Sequence, residues 1–146
     1  MSKFHFRLAT LLRLRQSTRD ERRLELAESQ RADAELQDRL TRLAAQQERL
    51  RDECREAAGP GEVDFVRLAE AHQYAAGLRT QEDELVRQRQ ALAIEIDRRR
   101  QAVLEADRDV RTLEKLRENQ FETHRQDENR QEIKRLDEAA LLATGR

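Results

Sequence analysis

Apolar residues recur along this chain at alternating steps of three and four. From Leu68 the frame runs through Ala71, Ala75, Leu78, Glu82, Leu85, Arg89, Leu92, Ile96, Arg99, Val103, Ala106, Val110 and Leu113, apolar at 11 of 14 positions. Earlier in the chain Leu36, Leu40, Leu43, Gln47, Leu50, Cys54 and Ala57 repeat it, apolar at six of seven. Such spacing keeps one face of a helix apolar, and sustained this long it predicts a coiled coil. Further upstream the frame holds Leu8, Leu12 and Leu26 but also Arg15, Arg19, Arg22, Ser29 and Asp33, so pairing there is weakly specified.

One punctuation mark divides the pattern, Ala57-Ala58-Gly59-Pro60-Gly61. Gly permits positive φ, while Pro lacks an amide donor and biases the residue before it away from helix. Asp64 is placed to cap the next helix by accepting from amides of its first turn. The expected architecture is therefore all-α: helix one over 4–57, a turn over 58–63 and helix two over 64–142. Each apolar face is one-sided, and a short turn between long helices makes an antiparallel coiled-coil hairpin with unequal arms the simplest way to bury both. At ~1.5 Å per residue the arms would be about 80 and 120 Å long. Pairing Ala57 with Asp64 sets Leu8 opposite Leu113 and Phe4 opposite Arg117, and leaves 120–142 without an intramolecular partner.

Composition agrees with an elongated helical chain. Of 146 residues 40% are charged and 3% aromatic, too few rings to anchor an ordinary globular core. The net charge of −1 provides no global field toward nucleic acid or membrane. The lone Cys54 can form no internal disulfide, and no segment approaches the roughly 18 apolar residues of a membrane span. The expected compartment is the cytoplasm.

Catalysis finds no support. A thin hairpin offers no concave, water-excluding site, four glycines compose no phosphate-cradling loop, and His5, His72 and His124 are too dispersed for one metal or cofactor site. The chain is expected to be non-enzymatic, with neither cofactor nor metal. Residues 1–23 carry seven basic and two acidic side chains, which admits a basic-region DNA reader. Leu8, Leu11, Leu12 and Leu14 interrupt that basic surface, and no Asn-centred base-reading pattern occurs. An acidic protein ring or a membrane surface would meet the same basic end. Outside the seam, Phe4 and Phe6 sit at the free end and Phe65 and Tyr74 flank the seam near the tip. In the overhang Phe121, Ile133, Leu136, Leu141 and Leu142 form an apolar set with no predicted partner, which favours intermolecular packing as much as fraying.

Three blocks carry a resemblance. The opening Phe4-His5-Phe6-Arg7-Leu8-Ala9-Thr10-Leu11-Leu12-Arg13 shows an aromatic-x-aromatic-x-Leu pattern, then a Leu-Leu pair and an Arg. Val110-Arg111-Thr112-Leu113-Glu114-Lys115-Leu116-Arg117 supplies a Leu-Glu-Lys-Leu block, and Lys134-Arg135-Leu136-Asp137-Glu138-Ala139 a closing Lys-x-Leu-Asp-Glu. In order, spacing and total length the chain resembles the flagellar export protein FliJ family. The resemblance implies a hairpin similar to the γ-subunit stalk of rotary ATPases. It implies binding to the hexameric export ATPase FliI through the joined ends, contact with the export-gate protein FlhA, and an escort role for export chaperones. Phe4, Phe6, Leu8, Leu11, Leu12, Leu113, Leu116, Leu136 and Asp137 are then the candidate ATPase-binding residues. Tyr74 and Leu78 match an aromatic-x-x-x-Leu pair and become the candidate gate-facing residues.

The expected function is a non-enzymatic stalk and coupling factor of the flagellar type III export apparatus. It would be cytoplasmic, peripheral to the inner face of the cell membrane at the flagellar base, and neither nucleic-acid-bound nor membrane-inserted. Two other readings stay open: the equivalent stalk of a virulence type III secretion system, and a self-associating coiled-coil scaffold.

Overall fold

A computed structural model describes residues 2–145 and shows two helices, α1 (Ala9–Ala57) and α2 (Phe65–Thr144), packed as an antiparallel hairpin of unequal arms. No strand occurs among the described residues. The heptad frame is the packed face. All seven seam positions from Leu36 to Ala57, and all 14 from Leu68 to Leu113, are buried or partly buried, the polar ones included.

The turn forms where the Gly-Pro-Gly sequence ends α1. The amide of Ala58 donates to the Cys54 carbonyl (3.0 Å), and that of Gly59 to Glu56 (3.2 Å), tightening the last turn. Gly61 takes φ 141°, a region that side-chain-bearing residues rarely adopt. The amide of Asp64 donates to the Ala57 carbonyl at 3.4 Å, closing the loop at the expected pair. Asp64 Oδ1 then accepts from the Arg67 amide at 3.1 Å and caps α2.

Contacts divide the chain into two compact units. In the unit spanning Leu24–Gln101, Leu43, Leu50 and Leu78 form the core, with Ala71, Ala75 and Leu85 packed against it. Polar seam positions pair across the helices. Gln47 Nε2 donates to Glu82 (2.9 Å), Arg89 bridges to Asp33 (2.8 Å) and also reaches Gln37, and Arg99 donates to the Glu25 carbonyl. Ser29, only 3% exposed, fits because its hydroxyl donates to the same Glu25 carbonyl one turn back. The Arg89 hydrogen bond holds the Asp33 carboxyl below the usual carboxylate range. Between Glu25 and Asp33 the weakly patterned stretch of α1 is thus closed largely by charge and hydrogen bonding.

The other unit combines residues up to Arg23 with those from Ala102 onward. Its core is Phe6, Leu12 and Val110, with Phe4, Leu8, Ala9 and Leu113 packed on it. Arg23 pairs with Asp107 at 3.0 Å and Arg15 with Asp109 at 3.7 Å, both across the helices.

Three expectations are corrected here. Helix one does not begin at Phe4: residues 2–6 carry no helical structure, 7–8 form a turn, and α1 starts at Ala9. The physical reason is the Phe4-x-Phe6 spacing. On a helix two residues two apart point some 200° away from each other, whereas an extended chain sends both to the same side. Phe4 shares a recess with Arg117, but its ring packs one turn further on against Phe121, ring centroids 5.3 Å apart in a T-shaped arrangement. An extended segment advances ~3.3 Å per residue against ~1.5 Å for a helix, so the same residues reach further along α2. Residues 120–128 are consequently not unpartnered. The stretch with every described side chain exposed begins at Asn129. Smaller differences lie at the other boundaries, where the turn runs one residue longer and α2 continues to Thr144.

Candidate functional site

The densest chemistry in the molecule lies where residues 2–8 cross α2. Alternation places Phe4 and Phe6 against the helix, while Lys3, His5 and Arg7 are exposed. Phe6 sinks into the core with Leu12 and Val110, and its carbonyl accepts from the Ala9 amide at 3.2 Å as α1 begins. Phe4 stands edge-on to Phe121 and tilted against His124 at 5.7 Å. Two side chains one turn apart on α2 hold the backbone of Ser2. Glu128 Oε1 accepts from the Ser2 amide (3.0 Å) and hydroxyl (2.5 Å), while His124 Nε2 lies 3.2 Å from the Ser2 carbonyl. The Ser2 hydroxyl and amide, together with the nearby His124 ring, hold the Glu128 carboxyl below the usual carboxylate range.

Beyond Glu128, α2 runs on with no cover. Ile133, Leu136, Leu141 and Leu142 are all exposed, interspersed with charge, and Asp137 is exposed beside them. Arg130 and Arg135 are engaged within the helix by Asp127 (3.8 Å) and Glu132 (3.9 Å).

The candidate residues therefore separate by accessibility. Phe6 and Leu12 are core, Phe4, Leu8 and Leu113 pack partly buried around them, and Leu11, Leu116, Leu136 and Asp137 reach solvent. A shallow groove of about 570 Å³ lined by Phe4, Glu114, Arg117, Glu118 and Phe121 opens beside the strap. In the Leu24–Gln101 unit Tyr74 is exposed, whereas Leu78 is 2% exposed and packs with Leu43 and Leu50. Leu78 is therefore a core residue with almost no surface to offer a partner. Val63, Phe65 and Val66, which the aromatic-x-x-x-Leu pattern passes over, are the exposed apolar residues at the turn. Among the described residues no group of His, Cys, Asp and Glu is arranged to hold a metal ion, and no helix is long and apolar enough to cross a membrane.

The family model described as flagellar FliJ protein matches residues 4–146, nearly the entire chain. The chain belongs to the FliJ family. No curated protein and no solved structure gives a significant match. FliJ membership makes this a coiled-coil protein associated with flagellar protein export. It also recasts the opening motif: in this FliJ chain the aromatic-x-aromatic residues belong to an extended strap and not to the first turn of a helix. Sequence reasoning missed the strap although a signal was present. Lys3-Phe4-His5-Phe6-Arg7 alternates with period two, the signature of an extended segment with one buried side. It also missed Glu128 and His124, whose i,i+4 spacing lets both reach the backbone of one strap residue.

Proposed function

We propose that this FliJ-family chain is a non-enzymatic stalk and coupling factor. It binds and stimulates the hexameric export ATPase FliI and contacts the export-gate protein FlhA, at the inner face of the membrane at the flagellar base. The observation that carries the reading is the tail of α2. A helix that has paired all its seam residues continues past Glu128 with Ile133, Leu136, Leu141 and Leu142 in solvent. Apolar side chains on a charged, unpaired helix stabilise an assembly when a partner covers them. Leu11, Leu116, Leu136 and Asp137 are the residues assigned to direct ATPase contact, and Phe4, Phe6, Leu8, Leu12 and Leu113 shape the end from which they project. Tyr74 is assigned to the gate, with Leu78 supporting it from the core. Escort of export chaperones would use the same exposed helical faces.

Self-association through the tail is the competing reading. Residues 129–144 amount to 16 residues, little more than two heptads, short of the roughly three to four heptads that a coiled-coil seam between two copies sustains. A larger partner surface covers the tail more effectively.

Leu116→Asp tests the assignment. The variant is expected to keep its helicity, since the residue lies on an exposed flank, and to lose most stimulation of ATP hydrolysis by the export ATPase. Full stimulation by the helical variant would remove this end from the interface.

A further inference from the structure

We infer that residues 2–5 are a releasable clasp, hinged at Phe6, which closes over the Phe121–Glu128 face of α2 in the free chain and is lifted by an acidic partner surface. The assignment rests on the proposed function for the identity of that partner. Three observations carry it.

The clasp is built differently from the rest of the seam. Elsewhere α2 is covered by α1 through leucines and cross-helix ion pairs, whereas from Phe121 to Glu128 its cover is an extended segment. The outer part of that segment, residues 2–5, is held by the Phe4 ring, packed against Phe121, His124 and the edge of the Phe6 cluster, and by side-chain bonds to Ser2. Those bonds are solvent-exposed, and Phe121 remains 50% exposed even with Phe4 against it. Water can replace the bonds to Ser2, and Phe4 is only partly buried, so the outer part of the strap opens at the cost of one ring's packing and without unfolding the hairpin. Phe6, packed with Leu12 and Val110, is the fixed point about which it swings.

The outer edge of the strap is a handle. Lys3 and His5 on the moving part, and Arg7 just past the pivot, are all exposed. Two permanent cations and a histidine on one edge of an extended segment are complementary to an acidic surface, which gains charge pairs by drawing the strap off.

Release has a consequence further along the helix. The clasp covers the last covered part of α2, and directly beyond it every described residue from Asn129 is already exposed. Lifting the strap joins Phe121, His124 and Glu128 to that free surface and lengthens the helix face open to a partner. The closed clasp therefore limits binding to the tail alone, and the open one admits a longer contact.

The test locks the clasp. In a Cys54→Ser background, Ser2→Cys and Glu128→Cys are bridged by a short bis-methanethiosulfonate linker that reductant removes. The bridged chain is titrated into the flagellar export ATPase before and after reduction. The expected result is that the bridge forms readily in the free chain. It should then raise the half-saturating concentration for stimulation about tenfold or more, as when the binding-competent state is only a small fraction of the population. Reduction should restore it. Equal stimulation by bridged and reduced chains would overturn the clasp while leaving the stalk reading intact. Failure of the pair to bridge, together with parent-chain NMR shifts that show no Phe4–Phe121 ring contact, would overturn the closed state itself. No stimulation by either form would overturn the stalk reading, and with it the partner assigned to the clasp.

Discussion

Leu78 and Tyr74 lie one helical turn apart in the sequence pattern and play opposite parts in the structure. Leu78 touches Leu43 and Leu50 in the core, while Tyr74 stands in solvent. Leu78→Ala is expected to cost about 2–5 kcal/mol by loss of burial and creation of a cavity, read as a lower urea midpoint. Tyr74→Ala should shift stability by no more than about 0.5 kcal/mol, because an exposed ring loses little on truncation. Comparable destabilisation by the two would contradict the placement. Glu128 offers a second measurement at this scale. Its carboxyl is held below the ordinary glutamate value by the Ser2 hydroxyl and amide. A depressed folded-state pKa contributes stability that is fully present above the unfolded value, about 4.3, and is lost as pH falls through the lowered one. Strap closure should therefore weaken on acidification through that window. NMR shifts of the Phe4 and Phe121 rings report it directly, and in Glu128→Gln those shifts should no longer follow pH there. An unchanged titration in the variant would detach the strap from Glu128.

The two helices were legible in the sequence because their cause is a repeated local pattern. A seam that steps by three and four can be buried only by a helix, and each predicted position from Leu36 to Ala57 and from Leu68 to Leu113 is covered. The turn was legible for an equally local reason, since Gly59-Pro60-Gly61 ends one helix and Asp64 caps the next. Asp64→Ala should lower stability by about 1 kcal/mol through loss of the bond to the Arg67 amide, measured by thermal or urea unfolding. A stability equal to the parent would show that the cap contributes nothing. The strap was not legible, because Leu8, Leu11 and Leu12 extend the helical pattern upstream and mask the period-two signal of Phe4 and Phe6. What decided between them was tertiary: Val110 and Leu12 offer a pocket that Phe6 fills only if the chain is extended there. The polar rungs were equally hidden, since nothing local in Asp33 or Glu25 announces Arg89 and Arg99 as partners on the other helix. The candidate site was readable as a set of residues near one end of the hairpin. Its division into core supports such as Phe6 and Leu12 and accessible residues such as Leu116 required the packing.

For the molecule taken whole, the recesses among the described residues are open grooves, such as the one between the helices lined by Leu43, Thr80, Glu84 and Leu85. What it presents are helix surfaces: an exposed tyrosine, apolar residues at the turn and a long unpaired tail. Such surfaces suit contact with other proteins, in keeping with membership of a flagellar export family. The central claim is that the ATPase is one of them. The most direct measurement titrates the purified chain into the flagellar export ATPase of the same organism, following phosphate release together with the fraction of hexamer. Saturable stimulation that rises with ring assembly is the expected result. An active ATPase whose turnover and assembly stay constant in the presence of the folded hairpin would contradict it.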